Sequence, residues 1–304
     1  MTISEDTGAV SPRRVLFVSL PRTASNLLLK MLNVHKQPNI LTNDKGGYFF
    51  YPYFVNFTSN GISEKPSSQW SDDEKRKLQN AFQGCIQNLE DWSAQAESQN
   101  KIMFAKEHAF WFYNPASLQK LVTGVDNAEF MKDFRSGIRI PERDGDGRGE
   151  NEKCDVGAEY DDVLGGARLL FDWCMEQPDT STPPLVVDAH YLIHSPQIVF
   201  KICERLGLDK SAVQFEWNWD HKKPENDITN AEQDRHQRLA SIMLSSLHGS
   251  SGIIEDKAPV DIDIAAEVAK WKVEFGEEIA RFLERAVIDS MPDYEYLRAQ
   301  RITI

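Results

Sequence analysis

The chain has 304 residues, of which 41% are apolar and 27% are charged, and its formal net charge at pH 7 is −13. This length is sufficient for one large domain with a buried core, and the acidic balance argues against nucleic acid or an anionic membrane as a partner. The four cysteines form no C-x-x-C pair, and no apolar run approaches the roughly twenty residues of a membrane span, so we expect a cytoplasmic protein.

A single domain is predicted. Residues 1–13 are expected to be a flexible arm, and residues 14–304 to form one α/β domain. Five of the seven residues from Arg14 to Leu20 are apolar, which predicts a short buried strand. A helix is predicted to begin near Leu27, because the apolar residues that follow lie on one stripe at helical spacing.

The loop between this strand and this helix, Pro21 to Asn26, is rich in hydrogen-bond donors. Backbone N–H groups at a helix start are unpaired, and the helix dipole adds positive charge there, so the loop is predicted to bind a phosphate or sulfate. It is not a Walker A loop, which requires glycines and a lysine. An ordinary strand–helix turn with a serine cap is the alternative interpretation. The candidate ligand-binding residues are Arg22, Thr23, Ala24, Ser25 and Asn26.

Aromatic residues are concentrated further along, where six of the seven residues from Tyr48 to Phe54 are aromatic. So dense an apolar cluster predicts either the wall of a pocket for an apolar substrate or a connection packed in the core. Two more aromatic residues closely follow the next predicted strand. The candidate pocket residues from both places are Phe50, Tyr51, Tyr53, Phe110 and Trp111.

That next strand is predicted from Lys101 to His108, and it ends in Lys-Glu-His. A lysine charge can stabilise a leaving oxygen in a water-poor site, and neutral imidazole can accept a proton near physiological pH. Because residues two apart on a strand share a face, Lys106 and His108 can address one reacting group. The alternative is a strand-end lysine beside a half-buried histidine, neither with a catalytic role.

These two motifs resemble those of sulfotransferases. In that family a Pro-[Lys/Arg]-[Ser/Thr]-[Gly/Ala]-[Ser/Thr] loop follows the first strand, as at residues 21–25, and a later strand ends in Lys-x-His with a proline several residues on, as at Pro115. Residues 166–219 also resemble sulfotransferase-like P-loop proteins of fungal secondary metabolism. The resemblance implies that the loop holds the donor 3′-phosphoadenosine-5′-phosphosulfate (PAPS), that Lys106 contacts its sulfonate and bridging oxygen, and that His108 is the general base.

One motif of that family is not found. Sulfotransferases hold the 3′-phosphate of PAPS with an Arg-x-Pro at a strand end and a serine further on. Between Pro115 and Arg168 the Arg-x-Pro spacing occurs at Arg139-Ile140-Pro141, but no serine follows it and the charged sequence around it does not predict a strand, so the complete pattern is not found. This interval contains residues 137–162, whose glycines and charges predict a mobile loop outside the core. Either other residues bind the 3′-phosphate, or PAPS is not the ligand.

The remaining predicted elements alternate between helices and strands. Three or four strands alternating with helices predict a three-layer α/β fold, in which helices flank a largely parallel central sheet and ligands bind at the carboxyl ends of the strands. By the resemblance, this fold is of the P-loop, sulfotransferase-like type. The helices are expected at Ser71–Trp92, Arg168–Cys174, Gln197–Leu206, Ala231–Leu247 and Ile262–Arg285, and the strands around Val186 and at Val213–Trp217.

No metal is expected. Asp188, His190 and His194 include two histidines four residues apart, but Ser195-Pro196 follows directly, so a continuous helix there is not expected. Zinc would also require a further convergent ligand. The three residues are therefore not predicted to form a metal site.

Three functions remain open. The first is sulfonate transfer from PAPS to a hydroxyl of a small apolar or aromatic secondary metabolite, and the absent 3′-phosphate motif argues against it. The second is a PAPS-independent elimination, cyclisation or rearrangement on the same fold. The third is a non-catalytic small-molecule-binding protein, against which the intact Lys106 and His108 pair argues. In each case the expected partner is a small molecule, and an oligomer is compatible with the sequence.

Overall fold

A computed structural model shows a helix-rich α/β protein with a small parallel sheet. In the ranges it describes, no helix has both the length and the apolar character needed to cross a membrane. The predicted arm at 1–13, and residues 137–161 of the predicted loop, lie outside the described residues. The structure describes residues 14–20, 23–43, 46–59, 62, 69–109, 162–176, 183–218, 244–258 and 262–304.

Among the described residues, three parallel strands form the sheet: β1 (Arg14–Ser19), β2 (Ile40–Leu41) and β3 (Ile102–His108). The strand β3 lies in the middle, in the order β1-β3-β2. β1 and β3 pair in a register that sets Ser19 opposite His108. The predicted Lys-x-His strand is confirmed. The predicted first strand is a strand but is not buried as expected, since Leu16 is exposed and only Ser19 is fully buried. The carboxyl ends of the two strands meet at one edge of the sheet.

Helices make up most of the described residues. Besides the longer α-helices given below, one helical turn covers residues 244–248, and short 3-10 turns lie at 34–36, 210–212 and 255–257. The α-helices with defined bounds are α1 (Ser25–Leu32), α2 (Tyr51–Ser59), α3 (Asp72–Ser98), α4 (Asp162–Glu176), α5 (Ala189–His194), α6 (Ile198–Leu206), α7 (Ile264–Phe275) and α8 (Glu277–Ala299).

Two hydrophobic cores lie on opposite faces of β3. Ile102 and Phe104 belong to the core formed with α1 and α6, whereas Met103 and Ala105 belong to the core formed with α2 and α3. This division follows from the strand period of two, which sends successive side chains to opposite faces. The same alternation continues to the end of β3, so Lys106 and His108 share the face of Phe104.

The start of α3 lies where the sequence predicts it. The Ser71 hydroxyl accepts a hydrogen bond from the Glu74 N–H at 3.3 Å, and the Glu74 carboxylate accepts one from the Ser71 N–H at 2.8 Å. This reciprocal capping box satisfies two N–H groups that a helix start would leave unpaired. The helix extends past its predicted end at Trp92 to Ser98.

Two predicted strands are wrong. Val186 makes a single parallel bridge with Arg301, and Glu216 makes a single antiparallel bridge with Gly252. Within the described residues, each of these two apolar segments pairs with another segment of the chain at one residue only. Neither segment therefore forms the ladder of hydrogen bonds that defines a strand. Both runs lie against the first core through their apolar side chains instead.

One predicted helix is divided in two. The apolar period in the C-terminal region predicts one helix over 262–285, but α7 ends at Phe275 and α8 begins at Glu277. Gly276, between them, has a φ of 88°, which a helix cannot include and which glycine adopts at little steric cost. The two helices pack against each other.

Candidate functional site

The two sequence motifs meet at the carboxyl edge of the sheet. Ser19 is the last residue of β1, and His108 is the last residue of β3 directly opposite it. The helix α1 begins at Ser25, a few residues after β1 ends. The strand register and this short connection therefore bring the start of α1 close to the Lys-x-His end of β3.

The loop before α1 has a tight backbone. Ala24, the residue before the helix, has a φ of 55° and a ψ of 18°, a left-handed conformation that costs a non-glycine residue roughly 1–2 kcal/mol. The Thr23 hydroxyl donates to the Leu20 carbonyl at 2.7 Å, so its side chain is used within the loop. Ser25 is buried and Asn26 is half-buried. Arg22, also predicted to bind the ligand, lies outside the described residues.

Lys106 connects the two motifs. Its side chain is fully buried, and its Nζ donates a hydrogen bond to Asn26 Oδ1 at the start of α1. The same nitrogen lies 4.8 Å from the centre of the Tyr48 ring, a cation–π contact. Burial lowers the pKa of Lys106, and the neighbouring Glu107 carboxylate partly opposes that shift. A positive charge is thus held in a low-dielectric setting beside a helix start.

Glu107 lies on the other face of β3 and is also fully buried. Its Oε1 accepts hydrogen bonds from the N–H groups of Phe49 at 2.6 Å and Phe50 at 3.2 Å, just before α2 begins. Among the described residues its Oε2 has no hydrogen-bond partner. Burial raises the pKa of Glu107, while the two N–H groups and Lys106 oppose the rise. This carboxyl group fixes the aromatic segment against the strand.

His108 is held at both ring nitrogens. Its Nδ1 lies 3.2 Å from Ser19 Oγ, and its Nε2 lies 3.2 Å from the Tyr48 hydroxyl oxygen. Burial, and secondarily the charge of Lys106, lower the pKa of His108 to about 4, although a hydrogen bond with the Ser19 backbone opposes the shift. The imidazole is therefore neutral at physiological pH, which is the form that can accept a proton.

The turn at Gly47 positions Tyr48. Gly47 has a φ of 93°, and its carbonyl accepts a hydrogen bond from the Lys106 N–H at 2.9 Å. A Cβ atom at Gly47 would lie 3.0 Å from the Lys106 nitrogen and 3.2 Å from its Cβ, so only glycine allows this close approach. Asn43 closes the turn, because its side chain accepts from the Gly47 N–H and donates to the Tyr48 carbonyl.

The predicted pocket residues differ in burial and in surroundings. Phe50 and Tyr53 are buried in the second core, where both rings contact Phe82. Tyr51 is half-buried at the first position of α2. Phe110 and Trp111 lie outside the described residues. A substrate-binding role for these five residues stays a prediction, and the packed-core interpretation describes the surroundings of Phe50 and Tyr53.

Sequence reasoning missed Ser19 and Glu107, and it included Tyr48 only in the aromatic cluster, without its contact with His108. Ser19 and Glu107 have signals in the sequence, since one ends β1 and the other lies within the Lys-x-His motif. Tyr48 is 60 residues from His108 along the chain. The glycine pair before it, Gly46-Gly47, is the one local sign that the chain turns sharply there.

Asp188 and His194 make structural contacts, and His190 and His194 lie on one continuous helix, α5, which the sequence reasoning did not expect. Asp188 caps α5 by accepting from the Tyr191 N–H at 2.6 Å, and it also accepts from the Tyr294 hydroxyl. The ring Nε2 of His194 lies 2.5 Å from the Ala258 carbonyl oxygen. Over the part of the chain that the structure describes, no three His, Cys, Asp or Glu side chains are grouped so as to hold a metal ion.

Comparison with known proteins identifies two full-length relatives. The chain is 31% identical to sulfotransferase ppzF of Metarhizium majus, over 99% of each protein, and 29% identical to sulfotransferase ppzF of Metarhizium rileyi, over 96% of each. No protein-family model matches the chain, and no solved structure matches it significantly. The chain therefore belongs to the sulfotransferase-like family that includes these ppzF proteins.

Proposed function

We propose that this protein transfers the sulfonate group of PAPS to a hydroxyl group of a small apolar or aromatic metabolite. The observation that carries the proposal is the hydrogen bond from Lys106 to Asn26. This contact joins the predicted anion-binding loop to the Lys-x-His strand, so one cation serves both the donor site and the reacting centre. The relatives named sulfotransferase support the reaction class.

The chain would use three groups in this reaction. The N–H groups at the start of α1 and the side chain of Arg22 would bind the phosphosulfate end of the donor. Lys106 would stabilise the negative charge that develops on the bridging oxygen as the bond to sulfur breaks. His108 would receive the proton of the acceptor hydroxyl. These donors fit the sulfonate end of PAPS, and no described residue is assigned to its 3′-phosphate.

Because no described residue is assigned to the 3′-phosphate of PAPS, a second function is also a candidate. A PAPS-independent elimination, cyclisation or rearrangement would use the same cation and the same base, without a nucleotide. The observation that supports it is that no serine follows the Arg-x-Pro at Arg139-Ile140-Pro141 before Arg168, so the complete pattern is absent from this interval of the sequence. The two candidates differ in whether PAPS is consumed.

Sulfonate transfer from labelled PAPS is the test. The protein is incubated with sulfur-labelled PAPS and a panel of apolar phenols and polycyclic alcohols. We expect a labelled sulfate ester of at least one member, together with an equal amount of 3′,5′-diphosphoadenosine. The reaction without acceptor is the control. Failure to label any member of the panel, with PAPS left intact, would contradict the proposal and favour the PAPS-independent alternative.

A further inference from the structure

Both ring nitrogens of His108 face hydroxyl groups of the protein. Ser19 Oγ lies 3.2 Å from Nδ1, and the Tyr48 hydroxyl oxygen lies 3.2 Å from Nε2. An acceptor hydroxyl therefore cannot reach either nitrogen of this imidazole unless a protein group moves away or transfers the proton itself.

The Ser19 side favours one tautomer of His108. The Ser19 hydroxyl is placed to donate its single proton to the Glu107 carbonyl at 3.3 Å, which leaves its oxygen to accept from the histidine. In this arrangement Nδ1 carries the ring proton, and the lone pair of Nε2 points to Tyr48. Because Ser19 is only 7% exposed and lies within the sheet, a substrate cannot approach the imidazole from that side.

Tyr48 is the less buried of the two partners. Its side chain is half-buried, and its ring lies 5.4 Å from the His108 ring and 4.8 Å from Lys106 Nζ. The phenol thus touches both the predicted base and the predicted cation. Burial, and secondarily the Glu107 charge, raise the pKa of Tyr48, so the phenol does not persist as an anion. When the Tyr48 oxygen gives up its proton, it must therefore receive another proton in the same step.

We propose that Tyr48 is a catalytic residue whose hydroxyl carries the acceptor proton to Nε2 of His108. This inference rests on the proposed function. As the acceptor oxygen forms its bond to sulfur and the bond from sulfur to the bridging oxygen breaks, the acceptor proton passes to the Tyr48 oxygen. In the same step the Tyr48 proton passes to Nε2, which leaves a neutral phenol and an imidazolium. The imidazolium then loses its proton to solvent.

The variant Tyr48→Phe tests the relay, because it removes the hydroxyl and keeps the ring. We expect turnover to fall by roughly 100-fold or more, the lower range of general acid–base assistance. The KM for the acceptor should stay within about threefold, since the lost interaction belongs to the transition state. Turnover equal to or above that of the wild type would overturn the proposal, because it would show that the acceptor reaches Nε2 directly once the phenol is removed.

A matched control is Tyr296→Phe. It removes a hydroxyl that donates to Asp172 at 2.6 Å, between α4 and α8 and outside the proposed site. We expect this variant to keep wild-type turnover. A loss equal to that of Tyr48→Phe would overturn the relay, since it would show that removal of a hydrogen-bonded tyrosine hydroxyl outside the site is sufficient.

Nuclear magnetic resonance of isotope-labelled histidine gives a reading that is independent of activity. In the wild type we expect a protonated Nδ1 and a hydrogen-bonded Nε2, and only Tyr48→Phe should shift the Nε2 resonance towards that of a free acceptor. An unchanged resonance would refute the hydrogen bond on which the relay depends. A wild type that shows this hydrogen bond but transfers no sulfonate would instead refute the proposed function.

Discussion

Replacement of His108 by alanine is expected to reduce turnover by about two to four orders of magnitude, the range of general acid–base assistance. The imidazole is neutral at physiological pH, because burial and Lys106 lower its pKa to about 4. It also occupies a defined position between Ser19 and Tyr48. Steady-state turnover of the purified variant is the measurement.

The exposed His35 provides the control for this variant. His35→Ala removes an imidazole from the surface turn at 34–36 and should leave turnover unchanged. His108→Ala should lower the free energy of unfolding by only about 1–2 kcal/mol, because it leaves two hydroxyl groups with one partner fewer. Near-normal turnover by His108→Ala would show that His108 is not the general base and would contradict the catalytic role proposed for the Lys-x-His motif.

The same histidine determines the acidic side of the pH profile. The neutral form is the active form, so turnover is lost as pH falls through the pKa of His108. Because that pKa is lowered from 6.5 to about 4, the enzyme should keep most of its turnover at pH 5–6. Lys106, Glu107 and Tyr48 are the other titratable groups that face this imidazole or adjoin it. An acidic limb centred near the ordinary histidine value would contradict the burial of His108 in the active protein.

Replacement of Lys106 by methionine is expected to reduce turnover by about two to three orders of magnitude, the cost of removing one donor from a preorganised site. Methionine has a similar length and fits the buried space, so the change removes the charge and the hydrogen bond to Asn26 without creating a large cavity. Single-turnover rates at saturating PAPS measure the effect on chemistry, separate from donor binding.

Lys36→Met is the matched control for this change. Lys36 is exposed at the end of the turn at 34–36, so its charge should not affect turnover.

Because burial lowers the pKa of Lys106, its charge is lost at a lower pH than for an ordinary lysine. Wild-type turnover should therefore decline on the alkaline side before pH 10.5, as the cation is neutralised. Equal turnover by Lys106→Met and the wild type would remove Lys106 from the mechanism.

Local patterns predict much of the sheet and of the helix starts. β1, β3 and the cap of α3 are determined by short sequence signals: apolar runs with breakers, and a serine followed by glutamate. The two-residue strand β2 carries no such signal, and its pairing with β3 depends on the tertiary fold. The helix α2 is not predicted, because the dense aromatic sequence before and within it shows no clear helical period, although a proline in its first turn, Pro52, is compatible with a helix start.

In the candidate site, too, some residues are predictable from local sequence and others depend on the tertiary fold. Lys106 and His108 are predictable, since both lie on one strand and two residues apart. Tyr48 is not, because its position depends on the left-handed turn at Gly47 and on the hydrogen bond between the Gly47 carbonyl and the Lys106 N–H. A contact between residues 60 apart in sequence requires the packed structure. Arg22 lies outside the described residues and remains a prediction from the loop motif.

Calorimetric titration of the full-length wild-type protein with 3′,5′-diphosphoadenosine tests most directly whether this site is built for PAPS. We expect saturable binding with one site per chain, and no comparable heat with adenosine, which lacks both phosphate groups. Absence of saturable binding would contradict PAPS as the donor and would assign Lys106 and His108 to a reaction that does not use it.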